Sequence, residues 1–232
     1  MRQFRVNFGA ALIAMSVASA CRPSGSTPAR SDTTPASSAA SAAATPDSVV
    51  IAADHGRTTG DSTIKTWVII ASDFQCPFCK QWHDASYRAL YDEYVRPGRV
   101  RVAYVNFPLG QHQHAMATAE AAMCAAAQGK FWQFHDALFA TQDAWSTLPS
   151  TRAVEDSIAT SLALDRAKWT ACVESGKMRP LIVADRNRLT SAGVQSTPSF
   201  LIGDTVLVGA IPMSELKAAI DAELAKRASP SR

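Results

Sequence analysis

Two cysteines three positions apart, Cys76 and Cys79, stand between a strongly apolar run and an amphipathic stretch, and this arrangement constrains the fold more than any other feature. The run at 66–71 (TWVIIA) predicts a strand that is buried on both faces. Apolar residues then recur at helical spacing from 78 to 95, and Pro97-Gly98 ends the pattern. The free N–H groups and the dipole at the start of this helix favour a negative sulfur, so we expect Cys76 to be a thiolate at neutral pH.

The other strand and helix signals predict an α/β fold in which a block of helices interrupts the strands. Strands are expected at 49–53, 66–71, 99–107, 199–202 and 205–208. Gly203-Asp204 predicts a tight hairpin between the last two. Helical patterns fill 111–192, and an amphipathic helix at 213–226 follows the hairpin. The predicted order is therefore β, β, α, β, several helices, β, β, α.

A Cys-x-x-Cys pair alone is a weak signal, because it also occurs in zinc and haem sites. A zinc site would need a second such pair or a His-x-x-x-His, and haem attachment would need a histidine where Lys80 stands. The histidines His83, His112 and His114 are interpreted as ordinary residues of a helix and of a helix start. No metal site is predicted.

Three motifs between residues 49 and 225 resemble the DsbA-like family of thioredoxin-fold thiol-disulfide oxidoreductases. They are Ser72-Asp73-Phe74-Gln75-Cys76-Pro77-Phe78-Cys79-Lys80, then Gly129-Lys130-Phe131-Trp132 with His135-Asp136-Ala137-Leu138-Phe139, and Val194-Gln195-Ser196-Thr197-Pro198-Ser199-Phe200. The resemblance implies a thioredoxin-like fold with an inserted α-helical domain. It assigns 48–110 and 193–228 to the thioredoxin-like domain and 111–192 to the inserted helical domain.

The resemblance also implies the roles of the site residues. Cys76 would be the nucleophile and Cys79 the resolving thiol, with no bound cofactor. Pro198 would follow a cis peptide bond beside the cysteines. Thr197 would receive the substrate chain through its backbone, and Phe78 would border the substrate.

The sequence departs from the family in two places. The dipeptide Pro77-Phe78 lacks the histidine that some strongly oxidising members place beside the nucleophile, and the position six residues before Cys76 also differs. Many members carry a buried glutamate six residues before the nucleophile, and that glutamate is thought to move the proton of the inner thiol; here the residue is Ile70. Proton transfer to Cys79 would then use another group or water. Asp73 is the candidate, and the alternative is that Asp73 only caps the helix.

Cys124 and Cys172 both lie in the helical block and could be buried core cysteines. Because an exported chain meets an oxidising compartment and similar family members carry a structural bridge there, we expect a disulfide between them. Closing a loop of about fifty residues would stabilise the fold by about 3 to 4 kcal/mol.

The amino terminus has the features of an export signal: Arg2 and Arg5, an apolar stretch, and small residues ending at Ala20. Cys21 follows directly and resembles the lipidated cysteine of bacterial lipoproteins, although ordinary cleavage after Ala20 would also fit. In 22–47, 21 of 26 residues are Ser, Ala, Thr or Pro, so we expect 21–47 to be a disordered tether behind a signal peptide at 1–20.

The net charge and composition limit the classes of molecule that this protein is expected to bind. Without Arg2 and Arg5 the chain has 21 basic and 20 acidic residues, so a nucleic-acid partner is not predicted. The sequence predicts an exported, periplasmic or envelope-located enzyme, lipid-anchored at Cys21, that passes a disulfide to reduced exported proteins and is recycled by an unidentified membrane redox partner. The alternatives are a reductase or isomerase with the same site, or a non-catalytic thioredoxin-like adaptor or metal carrier.

Overall fold

The computed structural model describes residues 47–228. The predicted signal peptide, the lipid anchor at Cys21 and the tether up to residue 46 lie outside the described residues. None of the helices between residues 47 and 228 has both the length and the apolar character needed to cross a bilayer.

A five-stranded sheet carries the site. Its strands are β1 (Thr58–Thr59), β2 (Trp67–Ser72), β3 (Arg101–Asn106), β4 (Ser199–Ile202) and β5 (Thr205–Val208), in the order β1-β3-β2-β4-β5. The central strands β2 and β3 are parallel, and their register places Ser72 beside Asn106. All other pairs are antiparallel, and the predicted hairpin between β4 and β5 is confirmed.

The expected strand at 49–53 was wrong, because these residues belong to helix α1 (Ser48–Gly56). The Asp47 side chain accepts a hydrogen bond from the Val49 N–H at 2.8 Å and so caps the helix start. Ala53 is completely buried, and Val49 packs against the helical core. The apolar run is therefore part of a helix whose buried side includes Ala53 and whose exposed side includes Ile51, and the short strand β1 follows it.

The predicted helix after the cysteines forms as a series of helical turns. Helix α2 (Pro77–Trp82) leads into π-helical turns at His83–Tyr87 and Tyr91–Val95, with the short helix α3 (Arg88–Leu90) between them. Its buried side chains pack on one face of the sheet and on the last helix, α10 (Met213–Ala228). This packing fixes the start of α2 at the end of β2.

The predicted helical block between β3 and β4 is confirmed, and it contains six helices. They are α4 (Ala115–Ala126), α5 (Phe131–Ala140), α6 (Gln142–Trp145), α7 (Arg152–Ser161), α8 (Arg166–Ser175) and α9 (Arg179–Ser191). The disulfide between Cys124 of α4 and Cys172 of α8 is confirmed, with 5.8 Å between the Cα atoms. The cross-linked residues are 48 positions apart, which corresponds to about 4 kcal/mol of loop-closure entropy removed from the unfolded chain.

A buried ion pair that the sequence did not reveal joins α1 to α9. The Arg57 guanidinium contacts both carboxylate oxygens of Asp185, and the Asp185 side chain is completely buried. Arg57 also donates through Nε to Asp54 at 2.9 Å, and Arg188 contacts Asp185 from the surface. The pair fixes the first helix against the last helix of the helical block.

Candidate active site

The two cysteines lie at the start of α2. Cys76 is the N-cap residue and Pro77 is the first helical residue, where its missing N–H has no partner to lose. The Cys76 carbonyl accepts from the N–H groups of Cys79 and Lys80, so the first turn is closed. Both thiols are free, and Cys76 and Cys79 are only 3% and 1% exposed. Only a small part of the Cys76 residue is therefore open to a reaction partner.

The Cys76 thiol is set up to ionise. A hydrogen bond from Cys79 is the main influence that lowers the pKa of Cys76 from 9.0 to about 6, against the opposing effect of burial. A hydrogen bond from Thr197 and the N–H groups of Cys79 and Phe78 act in the same direction. The thiolate expected from the helix start is thus supported by groups from two parts of the chain.

The Cys79 thiol behaves in the opposite way. Burial raises its pKa well above 9.0, and the neighbouring Cys76 adds to the effect. A hydrogen bond from the Ser72 hydroxyl, at the end of β2, opposes the rise. Ile70, which replaces the glutamate of many family members, is an apolar residue of the sheet core at 2% exposure. Ser72 instead provides a polar contact to the Cys79 thiol, and sequence reasoning missed this contact.

Asp73 does not cap the helix that carries the cysteines, and proton transfer through its carboxyl group stays a prediction. Its Oδ1 accepts from the Gln75 N–H at 2.8 Å, and its Oδ2 accepts from the Leu109 N–H at 2.9 Å and contacts His112 Nδ1 at 2.8 Å. Cys76, not Asp73, is the helix N-cap. Burial raises the pKa of Asp73, and the carboxylate holds the loop after β3 against the loop that carries Cys76.

The loop before β4 completes the site. The Thr197-Pro198 peptide bond is cis, as the resemblance implied, and the Thr197 carbonyl oxygen lies 3.5 Å from Cys76 Sγ. Phe78 is 59% exposed although it is a large apolar residue. It lines an open groove of about 470 Å³ together with Gln81, Ser196, Thr197, Gly209 and Ala210. The structure thus brings Cys76, Cys79, Phe78, Thr197 and Pro198 together.

The three histidines considered from the sequence take part in separate interactions. His112 contacts Asp73, and His114 Nε2 lies 2.6 Å from the Leu148 carbonyl oxygen. His83 contacts Asp84 and Asp136, one turn after Cys79 on the same helical segment. They do not form a shared cluster.

The pKa values of the two thiols predict an alkylation profile. In the reduced protein, the rate of iodoacetamide reaction at Cys76 should rise with pH and be half-maximal near pH 6, because only the thiolate reacts. Cys79 should stay unmodified until far more alkaline pH. Mass spectrometry of peptides identifies the modified cysteine, and a faster reaction at Cys79 would reverse the two roles.

Several known proteins are similar to this chain in sequence. A family model described as Thioredoxin matches residues 52–222. The Na(+)/H(+) antiporter NhaA 3 of Salinispora tropica is 33% identical over 168 residues, which are 72% of this chain and 24% of that protein. The "Probable disulfide bond formation protein D" of Bacillus anthracis is 28% identical over 173 residues, which are 72% of this chain and 76% of that protein.

The chain therefore spans about a quarter of the length of the antiporter and about three quarters of the length of the disulfide bond formation protein. Among solved structures, oxidised BdbD from Bacillus subtilis has a TM-score of 0.66 at 20% identity, over 74% of this chain and 94% of that one. This likeness supports the fold. With the family match over the strands, the helical block and the cysteine motif, the chain belongs to the thioredoxin family and has a DsbA-like fold.

Proposed function

We propose that this protein passes a disulfide to reduced exported proteins. The observation that carries the proposal is the pairing of a thiol whose pKa is lowered to about 6, Cys76, with a buried inner thiol, Cys79, beside the Thr197 carbonyl. A substrate thiolate attacks Cys76 Sγ of the Cys76-Cys79 disulfide, and Cys79 leaves as a thiolate that takes up a proton. A second substrate thiolate then attacks the substrate sulfur of the mixed disulfide and releases Cys76 as a thiolate.

The low pKa of Cys76 favours this direction of electron flow. A thiol with a pKa of about 6 is mostly ionised at neutral pH, and this stabilises the dithiol form relative to one with an ordinary thiol. Stabilising the dithiol form raises the reduction potential of the disulfide. The contribution makes the disulfide a stronger oxidant.

The groove beside Cys76 supports a protein substrate. Phe78 offers an exposed apolar surface next to Thr197, whose backbone can pair with an extended chain. Gly209 and Ala210 line the same groove and place no large or charged side chain in it. An extended, unfolded segment that carries a cysteine suits this surface.

The cellular setting belongs to the same proposal. The export signal and the tether argue for a place in the periplasm or cell envelope, with a lipid at Cys21 and an unidentified membrane partner that reoxidises the dithiol. The division into a thioredoxin-like domain at 48–110 and 193–228 and an inserted helical domain at 111–192 likewise remains our prediction.

The Cys76-Cys79 reduction potential tests the direction of electron flow. The full-length protein is equilibrated in glutathione buffers of graded ratio, and the fraction of dithiol is measured by alkylation and mass spectrometry. A value near about −120 mV is expected for an oxidase, whereas a value near about −270 mV would assign the site to a reductase. An oxidase should oxidise reduced ribonuclease, and a reductase should instead reduce insulin, in agreement with the measured potential. If the protein shows no disulfide exchange in either assay, it is a non-catalytic adaptor.

A further inference from the structure

Three side chains outside the thiol pair bring metal-binding atoms together. One ring nitrogen each from His83 and His135 and one carboxylate oxygen from Asp136 lie within 4.8 Å of one another. Asp136 Oδ1 is 2.8 Å from His135 Nδ1 and 3.2 Å from His83 Nε2. Ligand atoms around a tetrahedral zinc ion are separated by about 3.3 Å, given metal–ligand bonds of about 2.0 Å. Two of the three separations already lie near that value.

Two different elements hold these ligands. His83 is in the first π-helical turn after α2, whereas His135 and Asp136 are neighbours on α5. Neighbouring residues on a helix point in different directions, so the His135 ring is buried and Asp136 reaches the surface beside His83. The three ligands therefore come together only where the π-helical turn after α2 packs against α5 of the helical block.

Aromatic rings fix the orientation of both imidazoles. The His83 ring stacks between Tyr87, at 5.4 Å, and Phe139, at 4.9 Å. The His135 ring meets Phe139 edge-on at 5.0 Å and Tyr104 at 5.3 Å. Rings held in this way lose little conformational entropy when they bind an ion, because folding has already fixed their orientation.

A second carboxylate prepares His83 as a ligand. Asp84 Oδ1 lies 3.0 Å from His83 Nδ1, and Lys80 Nζ lies 2.7 Å from the other Asp84 oxygen. When Nδ1–H donates to a carboxylate, the lone pair of Nε2 is free for a metal ion, as is usual for histidine ligands. Here Nε2 is the atom that faces Asp136.

The solvent side of the cluster is open. His83 and Asp136 line a cavity of about 760 Å³, together with Tyr87, Trp132 and Gln133. A metal ion on the three protein ligands would therefore have room for a water molecule in its fourth position. Two imidazoles, one carboxylate and one open position form a set that zinc commonly takes.

We propose that His83, His135 and Asp136 bind one Zn²⁺ ion at the edge of this cavity. The proposal goes beyond disulfide exchange, which needs no metal ion. The simpler reading is that both histidines donate hydrogen bonds to Asp136, and that reading predicts no stoichiometric binding.

Zinc titration of the full-length protein separates the two readings. The protein is used in its oxidised form, with any thiol of Cys21 alkylated, so that no thiol can bind zinc. Competition with a chromophoric chelator should give one zinc ion per chain, and zinc should raise the melting temperature. Absence of stoichiometric binding by the oxidised protein would overturn the proposal.

Variants locate the bound ion. Asp136→Asn and His83→Gln should each weaken binding by about 100-fold or more, whereas Asp84→Asn, which removes only the carboxylate behind His83, should weaken it about tenfold. The matched controls Asp143→Asn and His55→Gln change exposed residues away from the cluster and should bind as the wild type does. Circular dichroism verifies folding, and wild-type affinity in Asp136→Asn would place the ion elsewhere and refute the site. Because exchange activity does not enter these measurements, the outcome is independent of the proposed function.

Discussion

Replacing Cys76 with serine is expected to lower the rate of disulfide exchange by about 10³-fold or more, because the variant cannot form the Cys76-Cys79 disulfide that a substrate thiolate attacks. Cys79 cannot take over the role of Cys76, since burial raises the pKa of Cys79 well above 9.0. The measurement is the oxidation rate of reduced ribonuclease by the variant.

The matched change at the inner position should give a different result. Cys79→Ser keeps the Cys76 thiolate but removes the thiol that can release a bound substrate by attacking Cys76 and re-forming the Cys76-Cys79 disulfide, so complexes with exported proteins should accumulate. Non-reducing gels of cell-envelope fractions, followed by mass spectrometry, detect the complexes and identify the partners. Cys76→Ser should trap none, and equal trapping by both variants would contradict the assigned roles.

The second large effect concerns stability. Asp185→Asn leaves the Arg57 guanidinium buried without its carboxylate, so the free energy of unfolding should fall by about 3 kcal/mol. For a chain of this size the melting temperature should drop by about 10 °C. Chemical denaturation with the Cys124-Cys172 disulfide intact measures the change.

Asp54 provides the control, because it contacts the same guanidinium from the surface and its side chain is 53% exposed. Asp54→Asn should cost less than about 1 kcal/mol, since an exposed ion pair is screened by solvent. If the two variants were equally destabilised, the burial of the Asp185 contact would not be the cause.

The redox pair could be predicted from the sequence because its determinants are local. The apolar run before Cys76, the helical spacing after it and Pro77 at the first helical position are enough to predict a thiol at a helix start. The predictions of a cis peptide bond before Pro198 and of a disulfide between Cys124 and Cys172 depended on the family resemblance, since neither feature follows from the local sequence pattern.

Two expectations were wrong for physical reasons. Residues 49–53 are β-branched and apolar, but the cap at Asp47 and the burial of Ala53 make this segment a helix. One alternative for Asp73 was a helix cap, but Cys76 is the N-cap, and the Asp73 oxygens accept from Gln75 and Leu109 and contact His112.

By itself the sequence determined the order of most strands and helices, the position of the two cysteines at a helix start, and the hairpin that ends the sheet. These features depend on residues within a few positions of one another, where periodicity and turn chemistry act. Only the tertiary structure decided that Thr197 reaches Cys76, that Ser72 contacts Cys79, and that His83 meets His135 and Asp136. The first and third of these contacts join residues far apart along the chain, and the second joins the end of a strand to the helix that follows it, so all three form only when the sheet and the helices pack together.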